Sequence, residues 1–329
     1  MDTGNREQAA PAAAHAARPV ALVVGGGSMG ADVAVAFARG GWPTVVVEPG
    51  EARRAQLPAY WAQALARTGH AGCAERLACV ARLADAPWPQ VAVVVENAPE
   101  VLAVKQQVFA ECARAAPRDA ILASNSSSFP ISAIASGLDT ADRMLGLHFF
   151  LPAHVVPLVE VVWSEATAPE QAQRLTAIMR DLGKVPVQVR RDLPGFLANR
   201  IQHAMAREAF ALLEAGVASA EDIDAAVRFG FGFRLMAAGP VLQRDHAGLE
   251  VHTAAAATMY PSLSNAAVPS AELRDRVADG RLGMKTGEGF FRWTPEAIAA
   301  ERARYGRVLE QALGLLADEL PPIRPLGEP

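Results

Sequence analysis

A doubly wound α/β layer followed by an all-helical domain is the fold class this sequence predicts, and three observations predict it. An apolar run from Val20 feeds a glycine-rich turn, Gly25-x-Gly27-x-x-Gly30, and the next apolar run ends on an acid, Glu48. Apolar runs then alternate with helix-spaced segments as far as Arg191. Beyond Asp192 only helical spacing remains. Such alternation specifies a mostly parallel sheet covered on both faces, and its loss marks a second domain.

The opening strand, turn and helix form a dinucleotide-binding fingerprint in its required context. Gly25 permits the tight turn, Gly27 lets the backbone approach a pyrophosphate, and Gly30 lets the helix pack closely on the sheet. Ser28 and Met29 lie between the glycines, at the start of a helix whose unpaired N–H groups suit an anion. Glu48 follows Gly30 by 18 residues and can accept hydrogen bonds from both ribose hydroxyls. That favours NAD over NADP, although Arg53 and Arg54 follow closely. The layer is therefore expected to be a Rossmann-type domain.

Residues 51–80 are rich in alanine and arginine at helical spacing, and VAVVVEN at 91–97 has the continuous apolar character of a buried parallel strand. A helix is predicted over 99–116, then strands ending near Ser124 and near His148. LVEVVW at 158–163, a helix over 168–182 and VPVQVR at 185–190 complete the layer. Asp192-Leu193-Pro194-Gly195 is a hinge by composition. Helices are expected over 196–215, over 219–229 with a cap at Ser219, and over 244–260. The glycine-punctuated stretch at 280–293 is expected to be a loop, and 294–318 a long helix entered through Thr294-Pro295. The expected division is a disordered extension at 1–18, a nucleotide-binding domain at 19–191 and a helical substrate and dimerisation domain at 192–329.

Composition narrows the function. The 329 residues carry a formal net charge of −4, which gives no electrostatic footprint for nucleic acid or acidic membranes. No segment approaches the apolar length of a membrane span, and residues 1–18 lack the apolar core of a secretory signal. Cys73, Cys79 and Cys112 have neither disulfide-framework nor zinc spacing, so no metal is expected and a reducing cytoplasm fits.

Ligands bind at the carboxyl ends of strands in such sheets. Polar residues gather there: Ser124 to Ser128, His148 and Glu160, with Asn199 just past the hinge. Removing hydride from an alcohol needs a base for the hydroxyl proton, and histidine suits, its ordinary pKa being near 6.5. A carboxylate on its second nitrogen would fix the tautomer, and a buried Glu160 needs such a partner. Each residue also has a plainer use. Serines satisfy turn backbone, Asn199 can cap or face a helix, and Lys105 can be a solvated helix residue. His154, His203 and His246 lack comparable company.

Taken together, GGGSMG, VVVENAPE followed by Lys105, ILASNSSS, GLHFFLPAHVVPLVEVV, DLPGFLANR, Gly239-Pro240 and KTGEGFF make the sequence resemble the L-3-hydroxyacyl-CoA dehydrogenase family, over most of residues 19–293. The resemblance implies that His148 is the general acid/base and Glu160 its partner, with Ser127 and Asn199 bonding the substrate oxygen. It places the nicotinamide side of NAD near Glu96, Asn97, Glu100 and Lys105, and it implies a homodimer through the helical domain. The reaction expected is reversible NAD-dependent oxidation of an L-3-hydroxyacyl-CoA to the 3-ketoacyl-CoA.

Two departures concern the substrate. Leu151 stands where the family usually has asparagine, and the segment between Glu48 and the VVVEN strand is short and holds no lysine; the chain has only three. The same catalytic set acting on a small free hydroxy acid is therefore the alternative, whether a sugar acid, a carnitine-like compound or a pyridine carboxylate. Arg234 is a candidate partner for its carboxylate, or a surface arginine. A non-catalytic NAD-binding sensor is the third reading, and retention of Ser127, His148, Glu160 and Asn199 argues against it.

Overall fold

Apolar strands that bury both faces are the ones that end up central, and the computed structural model, which describes residues 18–327, places them so. An eight-stranded sheet runs in the order β3-β2-β1-β4-β5-β6-β7-β8. The strands are β1 (Val20–Val24), β2 (Thr44–Val47), β3 (Leu77–Val80), β4 (Val91–Glu96), β5 (Ile121–Ser124), β6 (Met144–Phe149), β7 (Leu158–Val162) and β8 (Val185–Val189). Every pairing is parallel except β6 with β7. Along β1 the side chains alternate between two cores, Ala21 and Val23 in one, Leu22 and Val24 in the other. That alternation is the two-residue period of a strand covered on both faces.

One core is closed by α1 (Ser28–Arg39), α2 (Glu51–Arg67) and α5 (Pro169–Asp181), the other by α3 (Leu102–Ala115) and the short α4 (Ile131–Ile134). Alanines let α1 lie close to the sheet, and residues Gly30 to Ala38 are all buried. A Cβ on Gly30 would lie 1.9 Å from the Gly25 carbonyl oxygen, so only glycine fits. The chain leaves β1 for β2 and β3 on one side and returns through β4 to β8 on the other. The switch point, where ligands of open α/β sheets bind, therefore lies at the ends of β1 and β4.

The second compact unit, Leu197–Gln311, is helical. It holds α6 (Ala198–Glu214), α7 (Ala220–Ala226), α8 (Gly232–Leu235), α9 (Leu242–Ala247), α10 (Leu249–Met259), α11 (Ala271–Ala278) and most of α12 (Pro295–Leu315). Ser219 caps α7 as expected, its Oγ accepting the Asp222 N–H at 3.1 Å.

Several expectations need correction. Residues 51–80 are not wholly helical: β3 closes the sheet edge against β2, and four half-exposed residues between arginines carry too short a pattern to reveal a strand. The helix expected over 244–260 is broken at Gly248, whose φ of 91° no helix accommodates. α11, capped by Ser270, was not anticipated. The expected boundary at 192 falls instead at Phe196/Leu197, and the chain from Ala312 onward packs with the sheet domain. Its ties are an Ile323–Leu182 bridge, Arg324 N–H to the Asp181 carbonyl, and Leu326 N–H to the Gly40 carbonyl. The extension, with His15, lies outside the described residues except for Arg18. Among the described residues no helix is long and apolar enough to cross a membrane.

Candidate active site

The glycine turn comes first. Gly25, with φ 99°, donates its N–H to Val47 O at 2.8 Å, and a Cβ there would meet the Asn97 carbonyl at 2.6 Å. Gly27 differs: a Cβ on it would meet nothing within 4 Å. Packing therefore does not demand this glycine, and the space beside it is open to an approaching pyrophosphate. The first turn of α1 carries no acidic residue and no side-chain cap, so its N–H groups are open to an anion. Ser28 is exposed on that turn, and Met29 packs against the core.

Glu48 closes the nucleotide side. Its Oε2 accepts the Gly26 N–H and its Oε1 the Gly50 N–H, both at 2.8 Å. Each oxygen keeps acceptor capacity for a ribose hydroxyl. Arg53 and Arg54 turn instead to main-chain carbonyls, Nε of Arg53 to Gly26 and a terminal nitrogen of Arg54 to Glu48 and Pro49. The donor and acceptor set fits NAD.

The predicted nicotinamide residues form a buried network. Glu96, fully buried, accepts the Ala98 N–H at 2.6 Å, the Ser124 hydroxyl at 2.6 Å and Lys105 Nζ at 2.9 Å. Lys105 is buried too and also reaches Glu100 Oε2 at 3.1 Å. It is not a solvated helix residue: its ammonium is held between the two carboxylates. Asn97 accepts from Asn125 Nδ2 at 2.7 Å, while Asn125 Oδ1 accepts the Phe149 N–H at 2.8 Å, so the two amides tie β4, β5 and β6 together.

Glu100 turns out to hold the serine turn. Its Oε1 accepts the Ser126 hydroxyl at 2.6 Å and the N–H groups of Ser127 and Ser128 at 3.2 and 2.9 Å. Burial opposes its ionisation, but these bonds and the Lys105 charge outweigh that and hold the carboxyl below its ordinary value. Ser126 Oγ in turn accepts the Phe129 N–H at 2.9 Å. Ser127 is left to face the histidine.

The pairing of β6 with β7 sets His148 directly opposite Glu160. Opposed residues in an antiparallel pair share a face. His148 Nδ1 is 2.7 Å from Glu160 Oε2, and its Nε2 is 3.0 Å from Ser127 Oγ. Both ring nitrogens are engaged, and both residues are almost fully buried. The Glu160 carboxylate makes Nδ1 the N–H donor, which leaves the Nε2 lone pair aimed at the Ser127 hydroxyl.

Two residues that the sequence did not single out flank the ring. Phe150 and Phe196 lie edge-on to it, with centroids at 4.6 and 5.4 Å. Phe196 is buried with φ 49°, a left-handed conformation unusual outside glycine. Leu151 is 53% exposed. Asn199, the second residue of α6, and Arg234, exposed on α8, belong to the helical unit.

Comparison with known proteins adds a lineage. Residues 20–193 match the family model of the 3-hydroxyacyl-CoA dehydrogenase NAD binding domain, and 195–293 that of its C-terminal domain. The 5-formyl-3-hydroxy-2-methylpyridine 4-carboxylate 5-dehydrogenase of Mesorhizobium japonicum is 32% identical over 86% of this chain and 94% of its own. A solved structure of an enzyme of that activity, described as an NAD+ dependent dismutase, is 30% identical and superposes with a TM-score of 0.85 over 91% of this chain and 99% of its own. The (S)-3-hydroxybutyryl-CoA dehydrogenase of Ralstonia eutropha, also 30% identical, gives a TM-score of 0.69 over 84% and 100%.

Proposed function

The chain belongs to the 3-hydroxyacyl-CoA dehydrogenase family, and on that premise we propose that His148 is the general acid/base of a reversible NAD-dependent oxidation of a hydroxyl-bearing substrate. One observation carries the assignment: a buried imidazole with Nδ1 on Glu160 and Nε2 on Ser127, at the carboxyl ends of β5 and β6. NAD, when bound, supplies the hydride acceptor. His148 Nε2 takes the hydroxyl proton, Glu160 stabilises the imidazolium so formed, and Ser127 holds the substrate oxygen where Nε2 can reach it. Asn199 is proposed as a second donor to that oxygen. In the reverse direction the imidazolium returns the proton to the carbonyl oxygen.

The family reaction makes the substrate an L-3-hydroxyacyl-CoA. A small free hydroxy acid such as a pyridine carboxylate is the second reading, and it has specific support. The TM-score is 0.85 to the pyridine-carboxylate enzyme against 0.69 to the hydroxybutyryl-CoA enzyme. The chain between Glu48 and β4 forms a single long helix, α2, with three short 3-10 segments and β3, and it offers no lysine to a CoA phosphate. In this second reading Arg234 is the proposed partner of the substrate carboxylate. A cytoplasmic homodimer through the helical unit is also proposed, supported by exposed Phe229, Phe233, Val241 and Tyr260 and by cysteines that form no disulfide.

Steady-state NADH production on L-3-hydroxybutyryl-CoA and on a panel of free hydroxy acids separates the readings. Turnover of the CoA ester alone supports the first, and turnover of a free acid alone the second. Absence of both alongside NAD binding contradicts the proposal and favours a sensor.

A further inference from the structure

His148 and Glu160 sit on strands joined by eight residues, Phe150 to Pro157, so the shape of that loop sets how the two side chains meet. Charged groups from α1 and from the turn before β8 converge on its main chain. Asp32, in the middle of the buried face of α1 and 2% exposed, accepts the Ala153 N–H on Oδ2 at 2.9 Å. Its Oδ1 lies 3.0 Å from His154 Nδ1 and accepts the Tyr60 hydroxyl from α2. Lys184, just before β8 and 4% exposed, donates to Ala153 O at 2.6 Å and to Val156 O at 2.8 Å. Arg39, ending α1, donates to His154 O at 2.8 Å.

Buried charge is costly unless paired and hydrogen-bonded, and an apolar plug would suffice merely to fix α1 against the sheet. Here two cations and one carboxylate are spent on one loop. Burial, with Arg39 adding to it and Asp32 opposing, brings the Lys184 ammonium down to about 7, and even the neutral amine keeps the two N–H groups its two carbonyls need. None of these groups takes part in the proton transfer described above.

We propose that Lys184 is a positioning residue that fixes the loop between β6 and β7 and thereby the alignment of His148 with Glu160 and Ser127. The inference rests on the reading of His148 as the acid/base, and it acts through main-chain geometry rather than on the reacting atoms. A misplacement of about 1 Å in a catalytic group costs on the order of a hundredfold in rate.

The test compares wild type with Lys184→Met by kcat, KM, NAD affinity and 15N NMR of the histidine rings, the His148 signals being assigned by their loss in His148→Ala. The expected result is a kcat lowered about 10- to 100-fold, a KM and an NAD Kd within about threefold of wild type, and displaced His148 ring signals. An unchanged kcat with unmoved His148 signals overturns the proposal. So does a loss of NAD binding in parallel with kcat, which marks a general packing defect. Asp32→Asn, isosteric and able to keep the Ala153 bond, carries the same readouts if Lys184→Met does not fold. Should wild type turn over no substrate, the catalytic reading fails, but the His148 signals still decide whether Lys184 positions the ring.

Discussion

Replacing Gly27 and Gly30 in turn by alanine separates what the glycine turn does for the fold from what it does for NAD. The Gly27 Cβ would enter open space, and its φ of −58° suits any residue, so the folded state bears only the loss of a good N-cap, about 1 kcal/mol. The Gly30 Cβ would overlap the Gly25 carbonyl at 1.9 Å, and the helix must move off the sheet. Overpacking of that kind costs about 1–3 kcal/mol or more. For NAD the order reverses in character. A methyl at Gly27 fills the space through which the pyrophosphate reaches the N–H groups of α1, and losing one charge-assisted hydrogen bond costs about 1.5–3 kcal/mol, roughly 10- to 150-fold in Kd. Calorimetric titration with NAD beside thermal melts is the assay. Gly27→Ala should melt within about 4 °C of wild type yet bind NAD at least about tenfold more weakly, whereas Gly30→Ala should lose stability first. Unchanged NAD affinity in folded Gly27→Ala refutes the placement of the pyrophosphate.

Other expectations follow from the same geometry. Glu160→Gln keeps the size of the side chain but not the charge that fixes the His148 tautomer, and kcat should fall on the order of a hundredfold or more with NAD affinity intact; equal kcat in the variant would show that Glu160 is merely structural. Glu100→Gln should loosen the serine turn and raise KM as well as lower kcat, because Oε1 holds Ser126, Ser127 and Ser128 together; crystallography or kinetics showing an unmoved Ser127 contradicts this. Lys184 gives a pH signature. Its folded value of about 7 lies below the unfolded 10.5, so the unfolded chain binds more protons between those limits. Its burial penalty is full below pH 7 and is relieved as pH rises, by at most about 1.4 kcal/mol per unit. Urea unfolding from pH 6 to 9 should therefore show wild type gaining stability relative to Lys184→Met, and parallel profiles would rule the shift out.

The central strands were legible because β1, β4, β5 and β6 are buried on both faces and must read as apolar runs ending in polar residues. His148 and Glu160 were legible for the same reason, since a charged side chain in such a run needs a partner. Pairing in register then supplied what spacing only suggested. β3 was not legible: it lies at the sheet edge and carries no continuous core pattern. The burial of Lys105 was not legible because its partners, Glu96 and Glu100, meet it only once β4 and α3 have packed. Asp32 and Arg39 lie two turns apart on α1, but Tyr60 and Lys184 come from distant stretches and no spacing rule joins the four, and the left-handed Phe196 occupies a conformation that residue type alone argues against. The return of the chain from Ala312 to the sheet domain rests on main-chain hydrogen bonds and on the isolated apolar contacts of Ile323 and Leu326, too sparse to form a periodic pattern.

The most direct test of the central claim is single-turnover NADH formation by His148→Ala beside wild type, on whichever substrate the panel identifies, with NAD affinity measured on both. The account predicts a rate lowered by about 10²- to 10⁴-fold at unchanged NAD affinity. Single-turnover rates that match wild type would contradict it.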